Sequence, residues 1–468
     1  MENVMGGRQQ GWSGRSVVAL GALWLWLAGP STGWCQGPGG AAGGESSSPE
    51  TMSLEQAVGL AMENNRSMQS ASLDVDKAAD QAAQMKTRRL PALNFFTTTG
   101  QLLTPFEFRV NRGAFGTFGA TGPIPATDLK ITTNPAWTTV MFASVQQPLT
   151  QLYRIDQGIQ FYEASQGVAS EQLRTQRQTV VNSVKRAYFA VLQTQSALDA
   201  AEEVVKTYRE LDRVVRQQVE QQKALKADSL EVKARLARAE YDAMTIRNAM
   251  ASQKEQLNVI LGRDVTTDFR VTAVSGASRV EANLEEASAI ALKQRPEVKA
   301  ARLKVTQAEH DLRAKKAEYI PDLSLVFDYA NINNFNFLPE HYASVGFMFN
   351  WEPFDWGRKQ RETAEKRKNA QQAVLGVREA EQQTIAEVNS RYRKLQETHQ
   401  LLQVTQAVQE SAREKLRVTM NRYNQKVALL QDVLQAQASL ADANNQYSQS
   451  LLAYWSAKAD FERAIGED

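Results

Sequence analysis

The sequence of 468 residues contains one cysteine and three histidines. A disulfide needs two cysteines, and zinc or copper sites are built from closely spaced histidine and cysteine side chains. No two histidines stand at ligand spacing, and no nucleophile elbow, phosphate-binding loop or dinucleotide fingerprint occurs in the sequence. We therefore expect no metal, no cofactor and no catalytic residue, and we predict that the protein is not an enzyme. His310, flanked by Glu309 and Asp311, is expected on a solvated helix face.

The sequence also lacks an excess of either charge, because 54 basic residues stand against 52 acidic ones. This balance gives no indication of a nucleic-acid partner. Runs of roughly 20 apolar residues, which a membrane-spanning helix needs, are absent as well. Long stretches are instead rich in alanine, glutamine and glutamate, which is the composition of extended helices and coiled coils.

The first 35 residues are typical of a secretory signal peptide. Arg8 and Arg15 precede an apolar run of about a dozen residues, and small residues follow it. Residues 36–52 are then expected to form a low-complexity linker. Either Cys35 is removed with the signal peptide or it is acylated; Trp34 stands where a lipid-anchored protein would have a small residue.

The remainder of the chain is a duplication, because three short motifs recur in the same order. The distance between the copies is constant over the first two motifs and shorter at the third, as an insertion in the first copy would cause. We therefore predict two repeats, residues 53–264 and 283–468. The matched pairs are 54–57 with 284–287, Leu90-Pro91 with Ile320-Pro321, and Leu261-Gly262 with Ile465-Gly466.

Each repeat is predicted to contain a helix of about 35 residues, a β-hairpin, a very long helix and a return helix. Apolar residues in the long helices alternate spacings of three and four, which is typical of a coiled-coil seam; Ile385 and Val388 are examples in the second repeat. The fold class is therefore mainly α with a small β part. The expected bounds are strands 92–103 and 138–148 with helices 153–222 and 228–262, then strands 322–331 and 342–352 with helices 355–425 and 428–465.

The predicted strands alternate in character. Leu323, Leu325 and Phe327 fall on one face of a strand, and Ser324 and Asp328 fall on the other. This pattern indicates a strand that crosses an outer membrane; the alternative is a hairpin that caps a soluble domain, with its aromatic residues packed onto helices. Four strands cannot close a membrane barrel, since closed barrels begin at about eight strands. The membrane interpretation therefore requires an oligomer, either a dimer or a trimer.

The breaks between the long and the return helices contain neither glycine nor proline. Each break ends in an aspartate, Asp228 in the first repeat and Asp432 in the second. Aspartate is a favoured N-cap, so we expect each of these residues to cap its return helix.

The ordered motifs, present twice, resemble the TolC family of outer-membrane efflux proteins over about residues 52–468. The Pro353-Phe354-Asp355-Trp356-Gly357 turn and the segment from Tyr423 to Leu434 add to the resemblance. The family implies a homotrimer in the cell outer membrane, with a twelve-stranded barrel and a helical tunnel in the periplasm. It also implies a passive exit duct that works with a periplasmic adaptor and an inner-membrane RND pump or ABC exporter. A soluble periplasmic coiled-coil scaffold without a pore is the alternative function.

The resemblance also implies roles for residues at the breaks. Asp432 is similar to the aspartate that forms a ring across the closed aperture, and Tyr423 and Asp228 are similar to partners in the bonds that hold the closed state. Two positions depart from the family, because Gln435 replaces a second aspartate and Ala428 replaces an arginine. The tips that dock the adaptor are expected at Gln222, Lys223, Lys426 and Val427.

Overall fold

The computed structural model of the chain describes residues 50–101, 103–132, 137–223, 225–272, 283–333, 339–425 and 427–467. The expected signal peptide, most of the linker and the expected docking residue Lys426 lie outside these ranges.

Helices make up most of the described chain. The two longest have 69 and 67 residues, and at a rise of about 1.5 Å per residue each reaches roughly 100 Å. None of the described helices is long and apolar enough to cross a membrane. The expected mainly helical class is confirmed. The helices are α1 (Leu54–Asn64), α2 (Arg66–Thr87), α3 (Leu152–Glu220), α4 (Lys226–Leu261), α5 (Leu284–Gln294), α6 (Pro296–Lys316), α7 (Arg358–Asn424) and α8 (Leu430–Ile465).

The strands form one principal sheet and three short ladders. The strands are β1 (Glu50–Met52), β2 (Ala92–Gln101), β3 (Glu107–Val110), β4 (Thr117–Phe118), β5 (Gly122–Pro123), β6 (Leu129–Thr132), β7 (Trp137–Pro148), β8 (Phe269–Val271), β9 (Asp322–Asn333) and β10 (His341–Asn350). The principal sheet is antiparallel with the order β10-β9-β7-β2, so the hairpins of the two repeats lie side by side. Strands β2 and β10 are its open edges. The ladders β3–β6 and β4–β5 extend the loop between β2 and β7.

The expected single helix at the start of each repeat is wrong, because two helices stand there. In the first repeat Asn65 adopts an extended conformation (φ −67°, ψ 122°), and its side chain accepts the backbone N–H groups of Ser67 and Met68 to cap α2. In the second repeat Pro296 is the first residue of α6, and it holds the preceding Arg295 outside the helical region (ψ 126°). The chain therefore bends at the same place in both repeats.

The helices pack as a layer centred on α3. Near the sheet α3 packs against α2 and α6, and α6 in turn packs against α7. Elsewhere α3 packs against α4 and α8, and α8 packs against α7. One edge of the layer is therefore formed by α2 and α4, and the other is formed by α7.

Each repeat buries its short first helix against its own long helix pair. In the first repeat the hydroxyl oxygen of Tyr188 lies 3.0 Å from the carbonyl oxygen of Met52 and 2.8 Å from that of Thr272, which fastens the β1–β8 ladder to α3. In the second repeat Tyr454 and Phe461 occupy the matching core between α5, α7 and α8. The duplication in sequence is thus a duplication of hydrophobic cores.

Two residues lie on faces other than those expected. His310 is 8% exposed, and its Nδ1 lies 3.0 Å from Oε1 of Gln157, because α3 covers this side of α6. Ile385, expected on the seam of α7, is exposed, whereas the neighbouring Thr384 is buried. The buried face of α7 continues through Thr398. Its hydroxyl donates to the carbonyl of Lys394, so this buried polar group has a hydrogen-bond partner within the helix.

Candidate channel surfaces and gating tips

The two faces of the principal sheet differ in polarity. Residues directly opposite each other in an antiparallel ladder share a face, so the register defines rows that cross all four strands. One row is apolar: Leu93, Val145, Phe327 and Val345. The adjacent row, on the opposite face, is polar: Asn94, Ser144, Asp328 and Ser344.

The face that carries the apolar row is exposed. Phe95, Phe347 and Phe349 lie on the same face as the apolar row, and each is more than half exposed. On the polar face Ser324 is buried and accepts a hydrogen bond from the side-chain amide of Gln146. The aromatic residues are therefore not packed onto helices, as they would be in a capped soluble domain. A sheet that exposes the apolar row on one face and carries the polar row on the other is suited to lipid on one side and water on the other.

An ion-pair network surrounds the end of the sheet where strands meet helices. The carboxylate of Glu352 lies 2.6 Å from Nη2 of Arg358, and the carboxylate of Glu362 lies 2.6 Å from Nζ of Lys315. The hydrogen bond from Lys315 lowers the pKa of Glu362, and the charge of Glu352 raises the pKa of Arg358. These pairs join α6, the β10–α7 turn and α7. The sequence does not predict this network, because its members are distant in sequence and match no motif.

The two helical tips are closed by the same backbone arrangement. At the first tip the N–H of Lys223 donates to the carbonyl of Gln218, and the N–H of Gln222 donates to the carbonyl of Val219. This Schellman motif places Gln222 in the left-handed conformation (φ 57°), which usually requires glycine. At the second tip the N–H of Val427 donates to the carbonyl of Arg422 in the same way. The tips are thus tight turns although they contain no glycine.

Relief of the backbone strain at Gln222 provides a prediction. Gln222→Gly is expected to raise the unfolding free energy by up to about 1 kcal/mol, because glycine adopts the left-handed conformation without the steric cost of a Cβ. The change is followed by the temperature at which helical circular dichroism is lost, at one scan rate in one detergent. Gln221→Gly, one residue earlier, is the control and is expected to destabilise, since Gln221 has a negative φ of −82°. Equal effects of the two substitutions would contradict the assignment of strain to Gln222.

The expectation that Asp228 and Asp432 are N-caps is wrong. The N-cap residues are Leu225 and Leu429, and each aspartate stands three positions further, inside the first turn. The carboxylate of Asp228 accepts the N–H of Leu225 at 3.2 Å, and that of Asp432 accepts the N–H of Leu429 at 3.0 Å. The aspartates therefore stabilise the helix starts from the third position, as the acidic member of a capping box does.

The other residues expected at the gate lie near the tips without contacting one another. Tyr423 is partly buried in the last turn of α7. Among the described residues no hydrogen bond joins Tyr423 to Asp228, whose carboxylate is bound to the backbone of its own turn. Gln222, Lys223 and Val427 are exposed at the two tips. The structure of one chain thus places the expected residues near the helical tips, and their role at a gate stays a prediction.

Two exposed leucines at the tips were not predicted from the sequence. Leu225 and Leu429 are each 70% exposed, and together with Val427 they make the tips partly apolar. A signal was present, because apolar residues are unusual in a polar break between helices. In the part of the chain that the structure describes, no group of three or more histidine, cysteine, aspartate or glutamate side chains is placed to hold a metal ion.

A known protein family matches both repeats of the chain. The profile described as outer membrane efflux protein matches residues 57–263 and 287–467, one match in each repeat. The chain belongs to the outer membrane efflux protein family. This family consists of channels rather than enzymes. The protein is accordingly an efflux channel of the cell outer membrane, and its helices lie on the periplasmic side.

Individual relatives of this outer membrane efflux protein are distant in sequence. It is 23% identical over 337 residues to the alkaline protease secretion protein AprF of Pseudomonas aeruginosa, covering 68% of this chain and 67% of the relative. Among solved structures it is similar to CusC (18% identity, TM-score 0.72, covering 89% of this chain and 92% of the other). It is also similar to CmeC of Campylobacter jejuni (14% identity, TM-score 0.72, covering 88% and 85%). These structural likenesses establish the fold.

Proposed function

We propose that three copies of the chain form one exit duct, with a twelve-stranded barrel in the outer membrane. The observation that carries the proposal is the four-stranded sheet, which exposes an apolar face and has two open edges, β2 and β10. An unpaired backbone group in lipid costs several kcal/mol, so the edges must pair, and β2 of one copy is free to pair with β10 of the next. Two copies would give eight strands; the family resemblance favours three copies.

The edges of the helical layer support the same assembly. Tyr241 and Met244 are exposed on α4 at one edge, and Val404 and Val408 are exposed on α7 at the other. Burial of such side chains is favourable by roughly 25 cal/mol per Å² of apolar surface. When β2 and β10 pair between copies, α4 of one copy comes beside α7 of the next. The helices then form the wall of a tunnel that continues the barrel into the periplasm.

The duct is proposed to act as the passive outer part of a tripartite efflux or secretion system. Its tips dock a periplasmic adaptor, and the adaptor connects the duct to an inner-membrane RND pump or ABC exporter. The exposed residues Leu225, Val427 and Leu429 supply apolar contacts for the adaptor beside the polar Gln222 and Lys223. The alkaline protease secretion relative supports a role in export. Selection of the cargo is assigned to the pump, because the described tunnel wall presents no specific site.

Fractionation tests the assembly directly. Recovery of the full chain in the outer membrane as a detergent-stable trimer is expected. Recovery as a soluble periplasmic monomer would overturn the duct and favour the coiled-coil scaffold. A detergent-stable dimer would retain the membrane sheet and overturn the twelve-stranded barrel.

The closed aperture is proposed to lie at the second tip. Three copies would bring three Asp432 carboxylates together, and such a ring of negative charges attracts cations. Tyr423 and Asp228 are proposed to bond to neighbouring tips in the closed state. Opening then requires the helices at the tips to move apart.

Neutralising the ring should weaken its affinity for divalent cations. Asp432→Asn is expected to weaken divalent-cation block of the single-channel current by about tenfold or more, since a pair of opposite charges at surface dielectric is worth several kcal/mol. Asparagine keeps an oxygen that can accept the N–H of Leu429, so the helix start is retained. Asp442→Asn, an equal change at an exposed residue further along α8, is the control and is expected to leave the block unaltered. Unaltered block in Asp432→Asn would remove Asp432 from the gate.

A further inference from the structure

Exposed apolar and aromatic side chains mark all four places where the chain passes between the sheet and the helices. One or more such residues precede β2 and β9, and others follow β7 and β10. We call this set the junction belt. Its members are Leu90, Leu149, Tyr153, Tyr319, Phe354 and Trp356. The export function proposed above makes no use of them.

Trp356 is the most exposed member of the junction belt, at 91%. Its backbone is left-handed (φ 57°), a conformation that is unfavourable for a bulky residue, and its ring centroid lies 4.9 Å from that of Phe354. The turn around it is firmly built, because the carboxylate of Asp355 accepts the N–H groups of Gly357 and Lys359. The turn therefore holds two aromatic rings in the open, where another surface can cover them.

The extent of the junction belt indicates what that surface is. A neighbouring copy of the chain can reach only the edge strands β2 and β10. The belt also includes Leu149 and Tyr153 after β7 and Tyr319 before β9, and these two strands are central in the sheet. A bilayer, in contrast, meets all strands of a barrel at one depth, and aromatic side chains concentrate at the boundary between its headgroups and acyl chains.

Unpaired positive charge accompanies the junction belt. Arg88 follows α2, Lys316 ends α6 and Arg361 lies in the first turn of α7, and all three are exposed. Within the described ranges none of the three takes part in an ion pair, whereas the nearby Glu352 and Glu362 are both paired. The carboxylate of Asp355 is bound to the backbone of its own turn and offsets only one of the three cations, so the charge left over at this end of the sheet is positive, which suits a phosphate-bearing surface.

We propose that the junction belt, together with Arg88, Lys316 and Arg361, binds anionic phospholipid headgroups in the periplasmic leaflet of the outer membrane. The aromatic residues enter the boundary layer, and the three cations contact the phosphate groups. The proposal rests on the barrel proposed above, since only a sheet that spans the membrane brings this level to the leaflet surface.

Fluorescence quenching in bilayers tests the proposal on the full-length protein. The emission of Trp356 is obtained as the difference between the protein and its Trp356→Phe variant. Bilayers contain a small, equal fraction of either brominated phosphatidylglycerol or brominated phosphatidylcholine, with the bromines near the headgroup end of the acyl chains. We expect the brominated phosphatidylglycerol to quench Trp356 more strongly, and we expect this excess to disappear at high salt because salt screens the charges.

Two triple variants assign the excess to the named cations. Arg88→Gln/Lys316→Gln/Arg361→Gln is expected to abolish the excess quenching by phosphatidylglycerol. The control Lys233→Gln/Arg413→Gln/Lys415→Gln removes the same charge at exposed residues of α4 and α7 and is expected to retain it. The excess surviving in the first variant, or being lost in both, would overturn the role of these cations.

The remaining outcomes distinguish failure of the lipid proposal from failure of the membrane barrel. Equal quenching of Trp356 by the two lipids would overturn the preference for anionic headgroups. Trp137 stands at the opposite end of the sheet and reports insertion independently through the matching Trp137→Phe difference. Quenching of Trp137 without quenching of Trp356 would show that protein covers the junction belt, and the inference would fail alone. Absence of quenching for both would instead refute the membrane barrel itself.

Discussion

Gly262→Ala is expected to lower the unfolding free energy by about 2–5 kcal/mol, the combined cost of a left-handed alanine and of overpacking. Gly262 ends α4 in the left-handed conformation (φ 74°), and its N–H closes the last turn of the helix on the carbonyl of Val259. A Cβ at this position would lie 2.3 Å from the carbonyl oxygen of Asn64, at the end of α1. The contact is with backbone, so no side-chain rotation relieves it. The expected result is separation of α1 from α4.

Gly357→Ala is the matched control for this prediction. Gly357 is also left-handed (φ 82°), but a Cβ there would have no neighbour closer than the side-chain oxygen of Gln360 at 4.0 Å. Its cost is therefore the backbone term alone, about 1–2 kcal/mol. The two variants should be compared by the temperature at which helical circular dichroism is lost, at one scan rate in one detergent, because membrane-protein unfolding is commonly irreversible. A shift in Gly262→Ala no larger than that in Gly357→Ala would show that α1 can move away from Gly262 without loss.

The periodic parts of the fold could be predicted from the sequence. Alternation in β9, with Leu325 and Phe327 on one face and Ser324 on the other, depends only on the pleat of a strand. The long helices follow from the spacing of residues such as Val184 and Val191, since the seam of a coiled coil repeats over many turns. These signals are long and local, so they determined the mainly helical class and the four-stranded sheet.

The breaks in the fold were harder to predict, because each depends on one residue's backbone. Asn65 interrupts the first helix through its own side chain, and asparagine is common enough inside helices that it gives no clear stop signal. Pro296 is a clear helix-start signal, and the prediction of one continuous helix did not take it into account. At the tip, the left-handed Gln222 closes the turn in place of glycine, Leu225 is the N-cap, and Asp228 stands at the third position of the helix. Residue type alone does not reveal such a shift.

The residues of the candidate site also divide into those that a sequence motif predicts and those that only the structure reveals. Expectations for Asp432, Tyr423 and Asp228 came from motif position, and the structure places all three near the tips but joins none of them to another. The ion pair between Lys315 and Glu362, and the exposed Leu225 and Leu429, follow from tertiary packing and helix capping and had no motif. The structure therefore shows an ion-pair network and an apolar tip surface that the sequence did not predict. The sequence predicted only single candidate residues.

The prediction that most directly separates the two faces of the sheet concerns adjacent residues of β10. Val345 lies in the apolar row and Ser344 in the polar row, near the middle of the strand. Val345→Arg is expected to cost about 2–4 kcal/mol of insertion, the range for arginine facing lipid near the bilayer centre, so its inserted fraction should fall more than tenfold. Ser344→Arg places the same charge one residue away toward the water-filled side, where the cost is small. It should insert normally and shift the ion selectivity of the open channel toward anions.

Outer-membrane fractionation and single-channel recording measure both variants together. Insertion lost in Val345→Arg and retained in Ser344→Arg would establish which face meets lipid. The reverse pattern would place the polar row against lipid, which would require the polar groups of Asn94 and Asp328 to be desolvated in hydrocarbon at a cost of several kcal/mol. Equal insertion of the two variants would mean that neither face meets lipid, and the exposed apolar row would then have to be covered by protein. The two arginines thus test the polarity of the sheet with the same side chain at adjacent positions of a single strand.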